Sequence, residues 1–233
     1  MAAPLILVPG FWLGAWAWDE VAQLLRAQGH DVTALTLPGL ESPDVDRTPI
    51  TLADHVDAIC TALSAAAAPA VLAVHSGASV PGYGALDRLP ERVAAMVYVD
   101  TTPGSGAIRP DFAEKEWPLP EWADLDENLD GISQAQLDEF RARAVPEPAA
   151  ALREGPNLAN PARLDVPSTV ICTAFPAEAV KAAAQEGYSW MDGLNELRDL
   201  NYVDLPTSHW PMWSRPKDLA ALLGEIAERA ATA

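Results

Sequence analysis

Ser76 stands at a junction suited to a reactive hydroxyl. The run Val74-His75-Ser76-Gly77-Ala78-Ser79 leaves an apolar, strand-like stretch and enters a small-residue helical one through a sharp turn. A serine on such a turn is held in a strained backbone conformation, with its hydroxyl above the sheet edge. The flanking residues must be small, because strand and helix pass close together. Ala78 meets that need; Val74 is bulkier than the turn wants. A neutral hydroxyl is also a poor nucleophile and needs a base within hydrogen-bond reach. Histidine suits that task, because its ordinary pKa of about 6.5 lies near neutrality. Of the four histidines, His209 is the best base, in Thr207-Ser208-His209-Trp210-Pro211 between the last strand-like run and the final helix. His75 adjoins Ser76, but neighbouring side chains at a strand end diverge, so it reads as a packed, hydrogen-bonded support. His30 falls in a helix–strand turn and His55 in a helix, and both read as structural.

These residues need a scaffold that delivers them to one edge. The chain has 233 residues, 49% hydrophobic and 21% charged, enough apolar material for a single α/β core and too much for disorder. Six short apolar runs predict strands at Leu5–Val8, Val32–Leu37, Ala70–Val74, Ala95–Val99, Thr169–Thr173 and Tyr202–Leu205. They are continuous rather than alternating, as in a parallel sheet covered on both faces. Helices are predicted at Trp18–Ala27, Leu52–Leu63 (capped by Thr51), Ser79–Asp87 and Pro216–Ala230. The order of strands and helices is that of a doubly wound α/β fold. Residues 104–165 break it. They hold no convincing strand, one predicted helix at Ser133–Arg143, and 13 acidic against 6 basic residues. An insertion of that length reads as a cap on a core made of 1–103 and 166–233.

Charge and cysteine content narrow the functional classes. The net charge is −18, which repels phosphate backbones and anionic membrane surfaces, so neither is an expected partner. Cys60 and Cys172 are too few for a disulfide framework and read as small buried hydrophobes. No leader-like or membrane-spanning run is present, and a cytoplasmic location is the expectation. No histidine pair or phosphate-cradling glycine loop suggests a metal or nucleotide cofactor.

Two further segments complete a pattern. Val8-Pro9-Gly10-Phe11-Trp12-Leu13-Gly14-Ala15-Trp16 follows the first strand and resembles an H-G-x-W-x-G-x-W oxyanion loop. The C-terminal segment resembles H-x-P-x-x-x-x-P, and the serine precedes the histidine in the chain. With the Ser76 elbow, the sequence resembles the α/β-hydrolase superfamily, most closely its small esterase and hydroxynitrile-lyase-like branch with the plant methylesterases and bacterial relatives. That resemblance implies a six-stranded, mainly parallel sheet with helices on both faces and a small helical cap. It also implies Ser76 as nucleophile, His209 as general base, and the main-chain N–H groups of Phe11 and Gly77 as oxyanion hole.

The sequence departs from the family pattern in three places. Pro9 stands where histidine is usual, and Val74 weakens the elbow. The usual acid position, within Thr173–Glu178, is filled by Phe175 and Pro176. Asp100, at the end of Ala95–Val99, is one substitute, as in some dehalogenases of this fold. Glu178 is another, and a dyad or water-supported histidine a third. Trp210 stands where the lyases carry a lysine, which disfavours that activity. Aromatic residues around these segments imply an apolar pocket with few charges, lined by Trp12, Trp122 and Trp210. The expected function is a cofactor-free serine esterase acting on a neutral, hydrophobic ester or lactone through an acyl-enzyme. A catalytically weak or inactive binding protein on the same fold is the alternative, and the oligomeric state stays open.

Overall fold

The computed structural model describes residues 2–188 and 191–232. Strands β1 (Leu5–Val8), β2 (Val32–Ala34), β3 (Ala70–His75) and β4 (Val93–Val99) come first. A two-residue antiparallel ribbon follows, β5 (Glu116–Trp117) with β6 (Glu147–Pro148), and then β7 (Ser168–Cys172) and β8 (Leu200–Asp204). The main sheet has the order β2-β1-β3-β4-β7-β8, and each of its pairings is parallel. Every residue of β1, β3 and β7 is buried, as their continuous apolar runs predict, whereas the edge strands β2 and β8 are partly exposed.

Alternation along the strands sorts the core into two layers. Ile6, Val8, Leu72, Val74, Met96 and Tyr98 face one cluster, closed by helices Leu52–Ala65, Ser79–Arg88 and Ala177–Gln185. Leu5, Leu7, Val71, Ala73, Val97 and Val99 face the other, closed by helices Asp19–Ala27 and Pro216–Ala230. From β1 the chain first steps outward to β2, then crosses to β3 on the other side and continues to β8. The strand order therefore reverses between β1 and β3. In a doubly wound sheet that reversal opens a crevice at the carboxyl ends of the two strands. Gly10 and Ser76 stand just beyond those ends.

Several boundaries differ from expectation. β2 ends at Ala34 rather than Leu37. The Leu35 N–H still bonds the Leu7 carbonyl, but the Thr36 hydroxyl then accepts from Ala15, and Pro38 has no donor to give. Helix Ala177–Gln185 lies outside the predicted set. Its N-cap residue is Pro176, which offers no side-chain cap and so leaves no local start signal. Its first amide is met from afar instead, by Asp204 at the end of β8, 2.6 Å from the Ala177 nitrogen. A short helix at Asp192–Glu196 is also additional to the predicted set. Within 104–165 the ribbon β5–β6 corrects the expectation of no strand; a two-residue pairing leaves no periodic signal. The expected helix there spans Gln134–Arg143, with Ser133 and Gln136 forming a capping box, and a second, short helix at Ala149–Arg153 is additional to the predicted one. Both cysteines are free and buried. Among the described residues, no helix is long and apolar enough to cross a membrane.

Candidate active site

The turn at Ser76 is tight because its neighbours leave little room. Ser76 has φ +50, and a one-turn helix over Ser76–Ala78 runs directly into helix Ser79–Arg88. A Cβ on Gly10 would lie 2.7 Å from His75 Nδ1 and 2.8 Å from the Ser76 Cβ. A Cβ on Gly82 would fall 2.4 Å from Val74 Cγ1. The strand and helix do approach closely, as expected, but the small residue sits at Gly82, one turn into the helix. That placement makes room for Val74, the residue that weakens the sequence motif.

His209 and Asp100 reach the same point. His209 Nε2 lies 2.9 Å from the Ser76 hydroxyl, and Nδ1 lies 2.6 Å from Asp100 Oδ2. Strand register explains the carboxylate's position. Val99 pairs with His75, so the next residue on each strand, Asp100 and Ser76, leaves the sheet at the same level. Asp100 also has positive φ, +47. Its other oxygen accepts from the Thr173 and Ala174 amides at 3.0 and 3.1 Å. Burial works to raise its pKa, but the His209 hydrogen bond and charge and these amides outweigh it, so Asp100 stays below the usual carboxylate range. Glu178, the other candidate acid, is exposed and pairs with Lys181 at 2.8 Å, away from this chain of contacts. Phe175 is 66% exposed.

His75 supports the site from beneath. Its Nδ1 accepts from the Gly10 N–H at 3.3 Å, which leaves Nε2–H to donate to the His209 carbonyl at 2.7 Å. Burial, then the charge of His209, pushes its pKa down to about 3, so it stays neutral. The loop after β1 lacks the usual histidine at Pro9, and three anchors hold it. They are His75 on Gly10, the Thr36 hydroxyl on the Ala15 amide at 2.8 Å, and Glu147 on the Trp12 amide at 2.5 Å. Trp12 adopts φ +64. Glu147 comes from β6 and is buried, which raises its pKa to about 8 against the smaller pull of the Trp12 amide and Arg47. Phe11 lays its ring over Gly77, and a Cβ there would meet the ring at 2.2 Å. Gly77 lies in the first turn of the one-turn helix, where amides lack helical acceptors.

A cavity of about 280 Å³ beside Ser76 and His209 is lined by Phe11, Trp12, Trp117 and Trp210. Trp117 makes edge contacts with Phe11 and Trp12 at 5.2 and 4.6 Å and is an addition to the predicted lining. Trp122, which was expected there, is absent from this lining. Its ring packs on Phe140 at 5.4 Å, with the Arg141 guanidinium 4.5 Å from its centre. The expectation of few charges is corrected as well. Arg109 lies over Trp117 at 4.1 Å, and Asp124, Asp126 and Glu127 join the lining. Glu127 Oε2 is 3.5 Å from His209 Nδ1. These charges sit on irregular stretches of 104–165, where no periodicity tells which way a side chain faces. A second cavity, about 580 Å³, is also lined by Ser76 and His209 and runs along residues 101–108. Among the described residues, no group of three or more His, Cys, Asp or Glu side chains is placed to hold a metal ion.

A nucleophile-type hydroxyl, a hydrogen-bonded imidazole and a buried carboxylate in series can move one proton away from oxygen as it attacks carbon. Known proteins share features of this chain. The rice (Oryza sativa subsp. japonica) esterase PIR7B is 39% identical over 99 residues, covering 40% of this chain and 37% of that protein's length. Methylesterase 7 of Arabidopsis thaliana is 27% identical over 96% of both chains. Among solved structures, an extracellular alpha/beta-hydrolase from a Paenibacillus species superposes with a TM-score of 0.75 at 21% identity, covering 97% of this chain and 100% of that one. The model of the alpha/beta hydrolase family matches residues 5–222. With nearly the whole sheet and both ends of the site inside that match, the chain belongs to the alpha/beta hydrolase family.

Proposed function

We propose that the protein is a carboxylic ester hydrolase in which Ser76 is the nucleophile, His209 the general base and Asp100 the acid that orients it. The observation that carries this reading is the unbroken series Asp100–His209–Ser76, at 2.6 and 2.9 Å. The esterase names of the relatives, and the match along nearly all of Methylesterase 7, support the reaction class. In the proposed mechanism, the Ser76 oxygen attacks the ester carbonyl carbon and its proton passes to His209 Nε2. The carbonyl oxygen becomes an oxyanion facing the Phe11 and Gly77 amides, a type of contact worth roughly 3–4 kcal/mol per donor. His209 then protonates the leaving alcohol, and an acyl-enzyme remains. Water, activated by the same imidazole, releases the acid and restores Ser76. Asp100 keeps the Nδ1 proton in place throughout and offsets the imidazolium charge.

In this reading 104–165 is a cap over a core of 1–103 and 166–233, and the substrate is neutral and largely hydrophobic. The aromatic wall of Phe11, Trp12, Trp117 and Trp210 supports an apolar moiety, and the acidic rim disfavours an anionic one. A weak or inactive binding protein is the competing reading. It draws on the empty acid position after β7, and a carboxylate 2.6 Å from His209 counts against it. The test is labelling with a fluorophosphonate probe and peptide mass spectrometry, with Ser76→Ala beside wild type. The expected result is label on Ser76 alone and turnover of short neutral esters. Folded wild type that takes no label and turns over no ester would return the binding-protein reading to first place.

A further inference from the structure

His209 faces two carboxylates. Asp100 Oδ2 makes the short bond to Nδ1, and Glu127 Oε2 stands 3.5 Å from the same nitrogen. That second distance is long for a hydrogen bond in the resting state but close enough to act on a charge. Glu127 is not a bystander on a loose loop. The next residue, Asn128, accepts the His209 backbone N–H through its carbonyl at 2.8 Å and donates its side-chain amide to the Thr207 carbonyl at 3.1 Å. The turn that carries Glu127 is therefore fastened to the segment that carries His209. Its side chain is 36% exposed and lines both cavities that Ser76 and His209 border.

We infer that Glu127 is a positioning residue for ester hydrolysis: a second carboxylate, supplied by the 104–165 segment, that stabilises His209 when it becomes an imidazolium. The inference rests on the ester-hydrolase reading above. The neutral imidazole gains little from Glu127, whereas the cation formed as Ser76 loses its proton is attracted to both carboxylates. Only the charged state is favoured, so the effect falls on the chemical step rather than on substrate binding. Burial is the main influence on Glu127 and raises its pKa; His209 draws it down, and the facing charges of Asp100 and Asp126 push it up. His75, whose ring centre lies 4.8 Å from that of His209, stays neutral and adds no charge to this balance.

The experiment compares wild type, Glu127→Gln, Glu127→Asp, Asp100→Ala and the Asp100→Ala/Glu127→Gln double variant. One readout needs no activity: an NMR titration of the His209 ring. Glu127→Gln moves that titration to lower pH, and Glu127→Asp, whose charge is withdrawn by one methylene, moves it part of the way. In kinetics with a short neutral ester, Glu127→Gln lowers kcat by about fivefold, with KM nearly unchanged. The acidic limb of the pH–rate profile shifts in the same direction as the titration. Loss of Glu127 costs more in the Asp100→Ala background, because there it is the one carboxylate left at Nδ1. An unchanged His209 titration in both Glu127 variants, or an equal loss with and without Asp100, overturns the inference. If Glu127→Gln does not fold, the Glu127→Asp titration alone decides. An enzyme inactive on every ester, yet with the shifted titration, overturns the hydrolase reading and leaves the electrostatic contact standing.

Discussion

Replacing Asp100 by Asn tests the site at its most informative atom. The two oxygens of Asp100 have different partners: Oδ1 accepts from the Thr173 and Ala174 amides, and Oδ2 meets His209 Nδ1 at 2.6 Å. An Asn side chain keeps its oxygen on the two amides, because flipping it would orphan both at about 1–3 kcal/mol each. Its –NH2 is then forced toward Nδ1. A donor there makes Nδ1 an acceptor and places the imidazole proton on Nε2, the nitrogen 2.9 Å from the Ser76 hydroxyl. A base that already holds its proton cannot take another from Ser76. The same tautomer error lowers kcat by about 10⁴-fold in serine proteases, about 5.4 kcal/mol of transition-state stabilisation. A loss of that order is expected here. Asp100→Ala removes the carboxylate without imposing a donor, and it leaves Nδ1–H free to meet water or Glu127, so its loss is smaller than that of Asp100→Asn. The assay is steady-state hydrolysis of a short neutral ester, with thermal melts to verify folding. An Asn variant that keeps more than about a tenth of wild-type kcat, or an Ala variant slower than Asn, would refute the reasoning.

Three further outcomes are expected. Gly82→Ala places a Cβ 2.4 Å from Val74 Cγ1 and lowers stability by about 1–3 kcal/mol, and Val74→Ala in the same chain restores most of it in urea unfolding. Glu147 has its pKa raised to about 8 from 4.5, so the folded protein holds a proton that the unfolded chain releases; stability declines from about pH 4.5 to about pH 8. Glu147→Gln lacks that decline, and a wild type whose unfolding midpoint falls no faster than the variant's over this window contradicts the burial argument. His75 is depressed to about 3 from 6.5, so its contribution is complete above pH 6.5 and is lost as pH falls toward 3. His75→Asn flattens that acid limb in the same measurement.

What was legible in the sequence was whatever a short stretch of chain decides for itself. β1 and β3 announce themselves because strands buried on both faces are apolar over nearly their whole length, and β7 does so through Val170, Ile171 and Cys172. The Ser76 turn shows in its run of small residues, and helix Leu52–Ala65 in its Thr51 cap. Asp100 was legible by a longer step, from the expectation that its strand lies beside that of Ser76. Features that depend on distant partners were not legible. Helix Ala177–Gln185 takes its cap from Asp204. Glu147 matters because β6 brings it to the Trp12 amide, and Trp117 because β5 carries it to the same place. Trp122 misled because an aromatic residue in an irregular stretch gives no clue to its direction, and here it turns toward Phe140.

The bonds that join the site have a consequence for how the molecule comes into being. His209 is separated from Ser76 by 133 residues and from Asp100 by 109, and His75 reaches the His209 carbonyl across 134. Glu147 meets Trp12 across 135. Closing such loops consumes chain entropy before any contact returns it, so these are slow contacts to form. The parts of the chemistry are also made at different times in synthesis. A chain emerging from the ribosome carries Ser76, Asp100 and Glu127 long before His209, and under the proposed mechanism hydrolysis waits until that histidine has emerged and docked. Recovery of activity is therefore a stricter gauge of complete folding than any signal from the central strands.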